Sequence, residues 1–117
     1  MRLKQPDGRI GHAELKINGA SIMLADEFPE MDIRSPKSLG VARSPVSIHL
    51  YVENVDEVYK RALASGATSL REPADQFYGE RSAQLRDPSG HLWDISTQIE
   101  EVSPGEMQKR FDAMMKG

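Results

Sequence analysis

The chain has 117 residues, with 18 acidic against 15 basic side chains, a net charge of -3 and no cysteine. That length fits one domain with a small core, and the acidic balance offers no basic field to nucleic acid or to an anionic membrane surface. The lack of cysteine excludes disulfides, thiolate nucleophiles and Cys-ligated zinc; with no apolar run near the ~18 residues of a membrane span and no signal-peptide layout, the expected location is the cytoplasm.

Residues 1–5 suit a leading strand, turned by Pro6-Asp7-Gly8. In residues 9–17, Ala13, Leu15 and Ile17 alternate with His12, Glu14 and Lys16, a period of two that predicts a strand with one apolar and one polar face. Asn18-Gly19 is a two-residue hairpin signal, because both positions accept positive φ. The returning strand, residues 20–25, places Ile22 and Leu24 on one face and Ser21, Met23 and Ala25 on the other. Residues 29–45, with three prolines and no periodicity, are expected to form a crossover loop, mobile at its middle.

Residues 46–52 alternate again: Val46, Ile48, Leu50 and Val52 against Ser47, His49 and Tyr51. Asn54 is the expected N-cap of a helix, with Glu57 placed for a capping box and Gly66 at the C-terminal stop. Val55, Val58, Tyr59, Ala62 and Leu63 recur at helical spacing. A short strand is expected over residues 68–71, a loop over 73–80 and strands over 82–86 and 91–97, joined by Asp87-Pro88-Ser89-Gly90. Ser103-Pro104-Gly105-Glu106 opens a last helix with Met107, Phe111 and Met114 on one stripe, which needs a partner surface on this chain or a second subunit.

The strand–turn–strand GHAELKINGASIMLA resembles SAQLRDPSGHLWDIS, so that Ile22, Met23 and Leu24 correspond to Trp93, Asp94 and Ile95. The organisation expected is a partial module over residues 1–28, the crossover loop over 29–45, a full βαβββ module over 46–98 and a terminal helix within 99–117. If the repeat is a duplication, a strand and a helix, together about 25 residues, are expected before Met1 and missing from the first copy. An open sheet edge follows, and pairing with a second chain would cover it, so a homodimer is expected.

The segments GRIGHAEL and IMLADE, HLYVENVDEVYKRALASGAT, and QFYGERSAQLRDPSGHLWDIST resemble the vicinal-oxygen-chelate superfamily of glyoxalases, bleomycin-resistance proteins and extradiol dioxygenases, in its PhnB-like branch. The resemblance implies an α+β fold of paired βαβββ modules, a cupped mixed sheet with helices outside and a ligand cavity inside. It places the apolar row of Val46, Ile48, Leu50 and Val52 against the helix, and the polar row of each strand, with His12, Glu14, Met23, Ser47, His49, Tyr51, Asp94 and Ser96, in the cup, a plausible ligand site. Phe77 and Tyr78 suit either a lid over it or a cover for the sheet, and Arg81 either an anion clamp or a surface ion pair. Trp93 is expected in the core.

Metal-dependent members of that superfamily use the first and last strand of each module. Here those positions fall on Met23, Ser47 and Asp94, with the fourth absent, so the usual metal site is not expected and no cofactor is assigned. A displaced divalent-metal site would draw on His12, Glu14, His49 and Asp94; the alternative is that His12 and Glu14 bond across the sheet and His49 binds a buried polar partner. Three functions fit the residues: a dimeric small-molecule-binding protein, for which the acidic charge weakly favours a cationic ligand; a metal-dependent lyase, isomerase or dioxygenase; or a regulatory or inactive fragment folded through dimerisation.

Overall fold

A computed structural model describes residues 1–116; Gly117, the last residue of the expected 99–117 segment, lies outside the described residues. The chain runs β1 (Arg2–Lys4), β2 (Ile10–Ile17), β3 (Ala20–Leu24), a 3₁₀ turn (Pro29–Met31), β4 (Ser47–Tyr51), α1 (Val55–Ala64), β5 (Thr68–Asp75), β6 (Glu80–Arg86), β7 (Leu92–Gln98) and α2 (Pro104–Lys116). It is an α+β fold with an antiparallel sheet in the order β1-β2-β3 and a mixed sheet in the order β4-β7-β6-β5.

The first hairpin closes on Asn18 and Gly19, both at positive φ (49° and 82°), the backbone that matches strand twist in a two-residue turn. Ala13, Leu15 and Ile17 lie opposite Leu24, Ile22 and Ala20, so one face of this sheet is apolar. The other carries His12, Glu14, Lys16 and Met23. In the second sheet β4 runs parallel to β7, while β6 runs antiparallel to both of its neighbours, β5 and β7. The parallel pair is the signature of a βαβ crossover, and α1 provides it.

Helix α1 begins where the Asn54 side chain accepts a hydrogen bond from the Glu57 amide at 3.2 Å, satisfying one of the four free amides of a helix start. Its end is a Schellman turn: Gly66, at φ 108°, donates to the Leu63 carbonyl and Ala67 to that of Ala62. The buried side of α1 meets the sheet at Val55, Ala83, Leu85 and Ile95, with Leu50, Val52, Val58, Tyr59 and Ala62 packed around them. Trp93 is half-buried beside this core, its indole N–H donating to Asp87 Oδ2 at 3.0 Å.

Three local expectations are corrected. Val46 does not join Ile48 and Leu50 against the helix; it precedes β4 and is 71% exposed. β5 is longer than residues 68–71 and runs through Pro73 to Asp75, because it is an edge strand where a missing N–H costs no ladder bond and two register shifts absorb the ring. The crossover loop is tied down rather than free at its middle. Phe28 is buried beneath the Arg9 guanidinium, Ser35 and Ser38 donate to Glu27 at 2.8 Å, and the Lys37 amide donates to the Ser89 carbonyl.

No strand of the first sheet comes within 8 Å of an element of the second, measured between α-carbons of described residues. The hairpin tip makes one link, from Asn18 Nδ2 to the Tyr51 carbonyl at 2.5 Å. The molecule is accordingly long, 56 × 29 × 26 Å, with a radius of gyration of 17.5 Å; about 13 Å is usual for a chain of this length.

Candidate ligand-binding site

Alternation on β4, β6 and β7 divides the second sheet into two chemically different faces. Residues Ala83, Leu85, Leu50 and Ile95 point to α1. Their neighbours point the other way and form a polar row on each strand: His49 and Tyr51 on β4; Asp94 and Ser96 on β7; Glu80, Ser82, Gln84 and Arg86 on β6. Register places His49 beside Asp94 and Tyr51 beside Ser96.

The polar side chains of this face hold one another. His49 Nε2 lies 3.0 Å from Ser96 Oγ, and its ring stacks on Tyr51 with centroids 4.8 Å apart. The Tyr51 hydroxyl donates to Glu80 at 3.0 Å, and that carboxylate pushes the phenol pKa above its ordinary value. Gln84 bridges two groups: its amide N–H donates to Asp94 at 3.2 Å, and its oxygen accepts from Arg43 of the crossover loop at 2.8 Å. Arg71 donates to Ser82 Oγ at 2.8 Å. The result is a preorganised polar surface, not a core, although Ser82 and Ser96 are buried beneath their longer neighbours.

His49, Tyr51 and Asp94 thus lie together, with Ser47 at the exposed start of the same strand. His12 and Glu14 pair with each other at 3.4 Å on the first sheet, where Met23 is 67% exposed. Arg81 faces the opposite side of β6, gripping Asp56 of α1 bidentately at 2.8 and 3.0 Å and Asp75 at 3.0 Å. The guanidinium holds the Asp56 carboxyl below its usual range. Phe77 stacks edge-on with Tyr78 and packs on Phe111 of α2, whose Arg110 donates to the Phe77 carbonyl. The aromatic loop is therefore the seat of α2.

Arg43, Arg71, Glu80, Gln84 and Arg86 were not singled out by sequence reading. The period-two rule that placed Ser47 and His49 also assigns Glu80, Gln84 and Arg86 to the same face; nothing in the aperiodic loop points to Arg43. The positions that match the superfamily's metal ligands offer a thioether, a hydroxyl and one carboxylate, a donor set that does not suit a hard divalent ion. Among the described residues, no three His, Asp or Glu side chains gather as a metal site would require. No helix among them is long and apolar enough to cross a membrane.

A sequence model described as the Glyoxalase/Bleomycin resistance protein/Dioxygenase superfamily matches residues 2–95. Uncharacterized proteins of Mycobacterium bovis and Mycobacterium tuberculosis are each 40% identical over 119 aligned residues, which span 99% of this chain and 77% and 69% of theirs. Among solved structures, TioX from Micromonospora sp. ML1 is 29% identical with a TM-score of 0.58, covering 83% of this chain and 76% of its own. A glyoxalase-related enzyme from Fulvimarina pelagi shares the fold at 19% identity and TM-score 0.57, covering 84% of this chain and 70% of its own.

Proposed function

From the premise that the chain belongs to the glyoxalase/bleomycin resistance protein/dioxygenase superfamily, we propose that it binds a small molecule on the polar face of the second sheet, as a homodimer and without the usual metal site. The observation that carries this reading is the contrast between the two faces of that sheet. One is apolar and covered by α1; the other is a set of cross-bonded His, Tyr, Asp, Gln and Arg side chains with no helix over it among the described residues. Such a surface orients a ligand through a few fixed polar groups.

Two quantities support the dimer. The accessible surface is 8262 Å², against about 6,400 Å² for a compact folded monomer of this mass. The surplus, on the order of 1,900 Å², is the size of a stable protein–protein interface. The outer edges of β3 and β4 are also unpaired among the described residues. A second sheet brought over the first would turn an open polar face into a cup.

The test combines native mass spectrometry with elemental analysis and a thermal-shift screen of small molecules. A dimer without stoichiometric metal, stabilised by a ligand whose effect is lost in Asp94→Ala, is the expected result; a stable monomer overturns the dimer. The second reading, a metal-dependent lyase, isomerase or dioxygenase, draws on the register pairing of His49 with Asp94. Stoichiometric uptake of Ni, Zn, Mn or Fe that is lost in His49→Ala would favour it.

A further inference from the structure

The polar face is not uniform in charge. Three arginines serve its β5–β6 half, and each donates to a neutral acceptor: Arg43 to Gln84 Oε1 at 2.8 Å, Arg71 to Ser82 Oγ at 2.8 Å and Arg86 to the Ala42 carbonyl at 3.1 Å. Among the described residues none of the three forms an ion pair, whereas of the other six arginines Arg9, Arg34, Arg61, Arg81 and Arg110 do and only Arg2 does not. In a chain with more carboxylates than cations, leaving three guanidiniums unneutralised on one surface is a specific arrangement.

Gln84 is where they meet. Arg71 is its register partner across β5 and β6, Arg86 is two residues along the same strand face, and Arg43 reaches it from the loop. The carboxylates of the face, Glu80 and Asp94, already accept from Tyr51 and Gln84. Beside Arg86 the loop encloses an open cavity of about 530 Å³, lined by Lys37, Ala42, Thr68, Arg86 and Asp87 among others. The only carboxylate in that lining is Asp87, whose oxygens are taken by the Ser89 and His91 amides and the Trp93 indole.

We propose that the ligand of this face carries an oxyanion, a carboxylate or phosphate, held by Arg43, Arg71 and Arg86 with Lys37 at the adjoining cavity, while its body lies toward the His49–Tyr51 ring pair. The inference rests on the reading of the polar face as the ligand site, and it reverses the cationic preference that net charge alone would favour. The chemistry is direct. A guanidinium fork matches both anions bidentately, and a walled recess concentrates the field of a few fixed charges whatever the sign of the whole chain.

The experiment is an NMR titration of the full chain with benzoate and phenyl phosphate, with benzamide as neutral and benzylamine as cationic counterpart. Both anions should shift the Gln84, Arg86 and Thr68 amides saturably, and bind at least about tenfold more tightly than benzamide, the worth of one charge-assisted contact. Arg71→Gln and Arg43→Gln should each weaken anion binding by about the same factor and leave benzamide binding unchanged. Arg61→Gln, on the solvent side of α1, should change nothing. Equal binding of benzamide or benzylamine with shifts at His49 and Asp94 would overturn the oxyanion and spare the ligand face. Anion shifts confined to other surfaces would overturn both, and no saturable shift with either anion overturns the oxyanion.

Discussion

The two halves of the molecule contain the same strand–turn–strand pattern and meet different fates. In the second, Ala83 and Ile95 lie beneath α1 at 0% and 2% exposure; in the first, Ala13 is covered at 6%, but Leu15 and Leu24, at comparable apolar positions, stand at 50% and 46%. Alternation thus determines which face of a strand is apolar, and a separate element decides whether that face is buried. The same holds on the polar side, where Ser82 and Ser96 are buried by long neighbours while Met23 stands in solvent. A hairpin is only half a structural unit until something is laid across it.

The largest expected effect tests that contrast directly. Ile95→Ala should cost about 2–5 kcal/mol in urea unfolding, through lost burial and the cavity left behind. Leu15→Ala, on the open face, should stay within about 0.5 kcal/mol. Equal costs would break the comparison and mean that the first sheet is covered in solution.

The next effect concerns two glycines at similar φ. A Cβ on Gly79, at φ 86°, would meet the Glu100 carbonyl oxygen and Val102, whereas one on Gly19, at φ 82°, would meet nothing. Gly19→Ala should therefore show only the ~1–2 kcal/mol of left-handed strain. Gly79→Ala should lose more and loosen α2 from Phe77, which thermal melts and the Phe111 resonances would report.

The smallest effect is acid sensitivity, because each half carries its own exposed arginine clamp. Arg81 lowers the Asp56 pKa, and Arg9 lowers those of Asp7 and Glu30. A carboxyl with a depressed folded pKa stabilises fully above its unfolded value and loses that contribution as pH falls through the folded one. The stability gap between wild type and Arg81→Gln should thus be present at neutral pH and close in acid, read by the single tryptophan, Trp93. Arg9→Gln should show the same sign in the first half, with little effect on Trp93.

Much of the fold was legible because its signals are local. The Asn18-Gly19 turn, the Asn54 cap, the Gly66 stop and the Ser103 cap, whose hydroxyl accepts from Glu106 at 3.1 Å, each rest on a few adjacent residues. The site was legible in part. Period two put His49 with Tyr51 on one face of their strand, the resemblance put them in one cup with Asp94, and the register of β4 on β7 sets His49 beside Asp94. The resemblance also grouped His12 and Glu14 with them, and those residues lie on another sheet. Arg81 shows the limit plainly: its parity sends it to α1, where only the folded helix supplies Asp56.

By itself the sequence determined the hairpin turns, the caps and the apolar and polar faces of β2, β3 and β4, since each depends on backbone preference or side-chain parity over a short span; the α+β class came through its resemblance to a known superfamily. Only the tertiary structure decided that Arg43 crosses from an aperiodic loop to Gln84, that Arg71 and Arg86 form no ion pair among the described residues while Arg81 is clamped, and that one apolar sheet face is covered by a helix while Leu15 and Leu24 of the other stand half in solvent. Those outcomes depend on contacts between residues 11 to 41 positions apart, and no local preference encodes which distant group arrives.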